Sequence, residues 1–138
     1  MTSLVSALAL LVSVAAGPAP ILPEQLHWVR PPSTEKIEGA WVLGGEAKAE
    51  PYLLRVRLGA GARMPAHTHP DARSTTVLAG TLYVGFGEAF DERAVVAVPA
   101  GAVYVAPAGV PHYVWAKDGD VVYQETGVGP TATTPIRR

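Results

Sequence analysis

The sequence predicts an all-β protein, an antiparallel sandwich or barrel, on two observations. About nine short apolar or alternating runs follow one another with no helical periodicity among them. The 14 glycines and 13 prolines are spread between those runs, which is the punctuation of a fold with many turns. The 138 residues suffice for one domain with its own core, and no internal repeat stands out.

Charge and cysteine content exclude some functions. Eleven basic residues against 12 acidic ones leave a net charge of −1, without the basic stripe of a nucleic-acid binder. The absence of cysteine excludes disulfides, thiolate metal sites and a cysteine nucleophile. It does not exclude export, since a barrel of this size does not need a disulfide.

Residues 1–19 read as a signal-peptide-like segment. Residues 4–16 are apolar and rich in small side chains, a run too short for a comfortable membrane span. Val14, Ala15 and Ala16 before Gly17 have the character of a cleavage site. No Lys or Arg precedes the apolar run, so an uncleaved anchor or a misplaced start codon is the competing account. The expected localisation is periplasmic or secreted, with no stable membrane span after cleavage. Residues 20–138 are then a single domain with an irregular C-terminal tail.

The strands follow in order. Residues 18–23 are a proline-spaced linker. Residues 26–29 are a short strand candidate stopped by Pro31 and Pro32, with His27 an edge or surface residue and Trp28, like Trp41, a packing residue. Residues 40–43 form a second candidate ended by Gly44 and Gly45. In residues 51–58, Tyr52, Leu54, Val56 and Leu58 share one face while Arg55 and Arg57 share a solvated one, as in a half-buried strand. Residues 74–78 and 81–86 around Ala79 and Gly80 predict a tight hairpin. Residues 94–98, 102–106, 112–116 and 121–126 complete the set, and the tail from Gly127 to Arg138 is expected to be irregular or a loose arm.

The chemistry concentrates in residues 61–80. His67 and His69 are two apart, so in an extended strand both rings face one side, as two ligands of a metal must. Neutral imidazole suits Zn, Cu, Fe and Ni. The candidate third ligand is His112, which opens a strand directly after a turn containing Pro107, Gly109 and Pro111. Two histidines on one strand and one on a later strand make a plausible facial set.

These two segments together resemble the cupin superfamily. Gly61, His67, His69 and Gly80 fall on the first cupin motif; Gly101, Pro107, Gly109 and His112 fall on the second, whose closing Asn position holds Ala116. The run Gly87 to Asp91 and the late Gly127 to Pro130 are similar to small exported single-domain bacterial cupins of the type-2 kind. The resemblance implies an antiparallel jelly-roll β-barrel with a divalent transition metal at its mouth, held by His67, His69 and His112. Fe, Mn, Zn and Ni are not distinguished by this pattern, and a chain that has lost its metal is the alternative.

One position departs from the pattern. The family's carboxylate ligand should sit at position 73, which is Arg73, or with longer spacing at Ser74. Three readings compete. The site is a three-histidine one, as in the thiol and diketone dioxygenases among cupins, with Arg73 holding an anionic group of a substrate. Or the metal is lost, and the charge of Arg73 disfavours a cation nearby. Or Asp71 or Glu125 supplies the carboxylate; if Val122, Gln124 and Thr126 face inward, Glu125 faces solvent. Gln124 and Tyr83 are further pocket candidates, against ordinary barrel-lining polarity.

The resemblance thus implies a metal-dependent enzyme, with oxygenase chemistry on a small anionic molecule the leading class, or a non-catalytic or degenerate cupin that binds a small ligand without metal turnover. Fold alone does not decide between an enzyme and a binder. The expected partner is a small molecule, not a nucleic acid, and a homodimer is among the assemblies to be considered.

Overall fold

The computed structural model describes residues 17–32 and 34–137. The signal-peptide-like run through residue 16 lies outside the described residues. Among the described residues no helix is long and apolar enough to cross a membrane. Pro23–Gln25 form a single 3-10 turn. Ten strands follow: β1 (Ile37–Leu43), β2 (Pro51–Leu58), β3 (Arg63–Thr68), β4 (Arg73–Ala79), β5 (Thr81–Phe86), β6 (Val96–Pro99), β7 (Val103–Ala106), β8 (His112–Trp115), β9 (Val121–Val128) and β10 (Thr134–Pro135).

The strands form two five-stranded sheets, ordered β1-β2-β9-β4-β7 and β10-β3-β8-β5-β6, with every pairing antiparallel. This is the jelly-roll barrel that the motifs imply. The alternation expected in β2 holds. Tyr52, Val56 and Leu58 are buried on one face, and on the other Arg55 reaches Gln124 while Arg57 pairs with Glu38 and covers Trp28.

Three expectations about strands need correction. Residues 26–29 contribute only an isolated bridge, Val29 to Gly39, because Pro31 and Pro32 follow at once and remove the donors a longer ladder needs. β4 and β5 are not a hairpin: β4 pairs with β7 and β9, and β5 pairs with β6 and β8. The chain changes sheet at Gly80 instead, with φ of 75° and a neighbouring backbone so close that a Cβ there would overlap the Asp120 carbonyl oxygen. The tail is not loose, since β9 runs on to Val128 and β10 pairs Thr134 with Thr68 and Pro135 with His67.

The barrel interior is divided along its length. Toward one end the inward residues are apolar: Val56 and Leu58, Val77, Val114, Val121 and Tyr123, joined by Leu82, Val84 and Val98. Toward the other end the same strands turn polar: Arg73 and Thr75 on β4, His112 on β8, Glu125 on β9 and His67 on β3. The registers align the change, since Val77 pairs with Tyr123 and Thr75 with Glu125, while Met64 pairs with Val114 and His67 with His112. The apolar half supplies the hydrophobic stabilisation that offsets the cost of burying the polar half.

Gly80→Ala should lower the unfolding free energy by about 2 kcal/mol or more, through a left-handed backbone and a steric clash combined. Gly119→Ala, where nothing lies within 4 Å of the added carbon, should stay within about 0.5 kcal/mol of the parent. Urea unfolding of both variants measures the difference.

Candidate metal centre

His67 and His112 are directly opposite one another on β3 and β8, so one antiparallel pair places two imidazoles side by side. His69 lies just past the end of β3, on the same side as His67 by the strand period. The three ring centroids are 4.4 to 5.1 Å apart, and one ligand nitrogen from each ring falls within 4.8 Å of the others. The rings are 4%, 4% and 1% exposed for His67, His69 and His112. A buried cluster of three imidazoles with no charge of its own is a donor set for a borderline transition metal.

Backbone carbonyls orient all three rings. Nδ1 of His67 lies 2.8 Å from the Pro65 carbonyl, Nδ1 of His112 lies 3.1 Å from that of Val110, and Nδ1 of His69 lies 2.8 Å from that of Ala132. A carbonyl oxygen only accepts, so each Nδ1 carries the proton and each Nε2 keeps its lone pair. Nε2 of His69 is buried without any partner, an orphaned acceptor of the kind that a bound cation would satisfy.

Burial also keeps the rings neutral. It pulls the imidazolium of His67 down to about 4 and that of His69 down to about 3, and lowers His112 as well. The backbone hydrogen bonds oppose this shift, while the positive charge of Arg73 adds to it at all three rings. A metal need not displace a proton from any of them near neutral pH.

Arg73 occupies the place of the family carboxylate; both of its terminal nitrogens are engaged, while its buried Nε has no partner. The residue is 3% exposed, and its guanidinium donates to Glu125 Oε2 and to Asp71 Oδ1, both at 2.9 Å, and to the hydroxyl of Thr131. The Thr131 hydroxyl in turn donates to Asp71 Oδ1, and Tyr52 donates to Asp71 Oδ2 at 2.5 Å. Gly127 leaves the space for that phenol, since a Cβ there would sit 2.5 Å from it. Burial raises the Asp71 carboxyl, but the bonds from Thr131, Tyr52 and Arg73 outweigh it and hold the group below its usual range. Burial raises Glu125, and Arg73 offsets only part of that.

This arrangement bears on the readings of position 73. A bare guanidinium would repel a cation, but Asp71 and Glu125 pair with this one and offset part of the charge that the histidines feel. An anionic group approaching Arg73 would have to displace Asp71 or Glu125. Those carboxylates are tied to Arg73, and the metal-competent cluster contains histidines alone among the described residues.

Two pocket candidates lie elsewhere. Gln124 faces outward and accepts from Arg55, because β9 buries Val121, Tyr123 and Glu125 instead of Val122, Gln124 and Thr126. The large aromatic Tyr123 takes the core, and Glu125 comes inward with it. Tyr83 is on the outer face of β5 beside Trp115, and its hydroxyl donates to Asp118. His27 is exposed, outside the cluster. Residues that sequence reasoning missed are Thr131 and Ala132, in the tail, and Phe86, whose half-exposed ring centroid is 6.2 Å from that of His112 at the rim.

A jelly-roll barrel with two imidazoles from one strand and a third from its neighbour is a protein of the cupin type. The chain belongs to the cupins: the family model described as "Cupin domain" matches residues 54–128. No match was found among curated proteins. Among solved structures the chain is similar to the polyketide cyclase RemF from Streptomyces resistomycificus, at 13% identity and a TM-score of 0.72, over 88% of this chain and 87% of that one. It is also similar to KdgF from a Halomonas species, at 18% identity and a TM-score of 0.63, over 88% and 96%. A deletion mutant of Bacillus subtilis oxalate decarboxylase gives 17% identity and a TM-score of 0.64, over 82% and 30%. These likenesses carry the fold.

Two measurements test the electrostatics. In the unfolded chain imidazoles take up protons near pH 6.5, in the fold only near about 4 and 3 for His67 and His69. The unfolded state therefore binds more protons across that window, and the metal-free protein should lose stability as pH falls from about 6.5 toward about 4. Urea unfolding followed from about pH 7 to about pH 5 should show the loss, and a variant with all three histidines changed to Gln should show far less of it. A flat profile in the parent would contradict the assignment. Arg73→Met, which strands two buried carboxylates, should cost about 3–5 kcal/mol near pH 7 and less at lower pH, where those carboxylates protonate.

Proposed function

We propose that this cupin binds one divalent transition metal through Nε2 of His67, His69 and His112, and uses it on a small molecule admitted at the barrel mouth. One observation carries the reading: three Nδ1–H groups are committed to three backbone carbonyls, which leaves three Nε2 lone pairs in one buried cluster. Histidines retained only for packing have no need of a common tautomer.

Within this reading each residue has a role. His67 and His112 are fixed by strand pairing and His69 by the tail, so the three donors are set before any ion arrives. All three are neutral ligands, and among the described residues no carboxylate joins them. When bound, a divalent ion would supply Lewis acidity, with its remaining coordination positions open to a substrate or an activated water. Phe86 gives the rim an apolar surface next to His112. Arg73 does not hold the substrate in this scheme, because its terminal nitrogens are taken by Asp71, Glu125 and Thr131 and its Nε is buried. The activities named for the similar structures differ from one another, so no reaction class is taken from them.

A second reading, a binder without turnover, is favoured by the depth of the cluster, since none of the three rings is more than 4% exposed. Under that reading the metal or ligand is held and not processed.

Reconstitution of metal-free protein with Fe(II), Mn(II), Zn(II) or Ni(II), followed by elemental analysis, should give about one equivalent of at least one of them. His112→Ala should fall below about a tenth of an equivalent. The loaded parent should also unfold at a higher temperature than the metal-free form, by the stabilisation that a ligand confined to the folded state confers. Retention of less than about a tenth of an equivalent by the parent would remove the metal from the function.

A further inference from the structure

We propose that Arg73 and Thr131 are positioning residues for His69, acting through the C-terminal segment that follows β9. The inference rests on the metal reading for its consequence at the metal, but not for its structural core.

Among the described residues, nothing on β3 or β8 hydrogen-bonds the His69 ring. Its Nδ1–H is held by the carbonyl of Ala132, 63 residues away in sequence, with the Thr133 hydroxyl 3.5 Å from the same nitrogen. This sets it apart from His67 and His112, each of which donates to the carbonyl two residues before it. Those two rings are oriented by the backbone of their own stretches. The orientation of His69 exists only while residues 131–133 lie where they do.

The ion cluster fixes that placement. Asp71 is two residues after His69, and Thr131 is one residue before Ala132. Arg73 donates through Nη2 to both Asp71 Oδ1 and Thr131 Oγ1, and Thr131 donates to Asp71. The two chains that meet at the His69–Ala132 hydrogen bond are therefore clamped together immediately beside it. Backbone bonds secure the rest of the strap: Gly129 N–H to Glu50, Thr131 N–H to Glu46 and Ile136 N–H to Ala66. On another side, Thr131, Thr133 and Arg73 line a cavity of about 430 Å³ together with Val29, Trp41 and Leu54, so the strap is backed by open space where it meets the clamp. Without the clamp, the cavity leaves room for the strap to shift.

The strap lies wholly beyond residues 54–128, the part matched by the family model. Position 73, where the cupin motif has a metal carboxylate, thus acts here at one remove. It holds the segment that holds the ring.

Thr131→Val tests this, because valine keeps the shape and removes the hydroxyl that ties the strap to Arg73 and Asp71. Long-range proton–nitrogen spectra of the metal-free protein report the His69 tautomer, and titration with cobalt(II) reports affinity. The parent and Thr131→Ser should both show His69 as a single Nδ1–H tautomer. Thr131→Val should show a mixture of tautomers and about ten-fold or more weaker cobalt(II) binding, while His67 and His112 keep their Nδ1–H form. A merely structural tie would lower stability and leave the tautomer alone. A Thr131→Val protein with His69 still wholly Nδ1–H overturns the proposal, whatever its affinity. If the parent binds no cobalt(II), the metal reading fails, and the tautomer comparison still decides the positioning role. Should the valine variant fail to fold, Thr131→Ala, which adds no atoms, is read in the same way.

Discussion

A guanidinium buried in a barrel must be neutralised, and the polar half of this fold is arranged around that requirement. Arg73 alone among the inward residues of β4 carries a charge, and desolvating it without partners would cost several kcal/mol. Its partners come from three different stretches: Asp71 beside the histidines, Glu125 on β9 and Thr131 in the tail. Satisfying one side chain therefore brings together the turn after β3, the central strand of the β1-β2-β9-β4-β7 sheet and the C-terminal segment. Buried ion pairs are poor sources of net stability but effective at excluding alternatives, because every misplacement leaves a charge unpaired. Here the arrangement selected in that way is the one in which Ala132 meets His69.

The histidines make the opposite electrostatic demand. They must be buried and uncharged, with each lone pair left free. Backbone carbonyls achieve this without adding any charge, since they accept from Nδ1 and lend no negative formal charge to the ring. A carboxylate in the same role would stabilise imidazolium and draw a proton to the site. The cluster and the Arg73 network are therefore complementary neighbours. One collects charge and neutralises it internally; the other stays neutral so that a cation can supply the charge.

Much of this was readable from residue order, but not all of it. The spacing of His67 and His69, and the turn ahead of His112, pointed to a common cavity because strand period and turn chemistry are local properties. The faces of β2 followed from its own alternation. Gly80 was misread because a glycine between two strands fits a hairpin and a change of sheet equally well, and only the partners of β4 and β5 distinguish them. The inward face of β9 stays open in the sequence because Val121, Tyr123 and Glu125 alternate with Val122, Gln124 and Thr126, and both triplets mix apolar with polar residues. The preference of a large aromatic for the core was the available signal. The role of Ala132 had no signal, since a main-chain carbonyl is the same in every residue.

The two-residue pairing of β10 has a consequence for the strand it covers. Without Thr134 and Pro135, β3 would be the last strand of its sheet, with a row of amides and carbonyls facing water. Edge strands are the first to fray and the first to pair with another molecule. The strand that carries His67 is instead an interior one at its histidine end, shielded from solvent exchange and from association with a second chain. At the far sides of the two sheets no strand among the described residues covers β6 or β7, and Val96, Val103 and Val105 stand exposed there. These exposed edges lie away from the strand that bears His67.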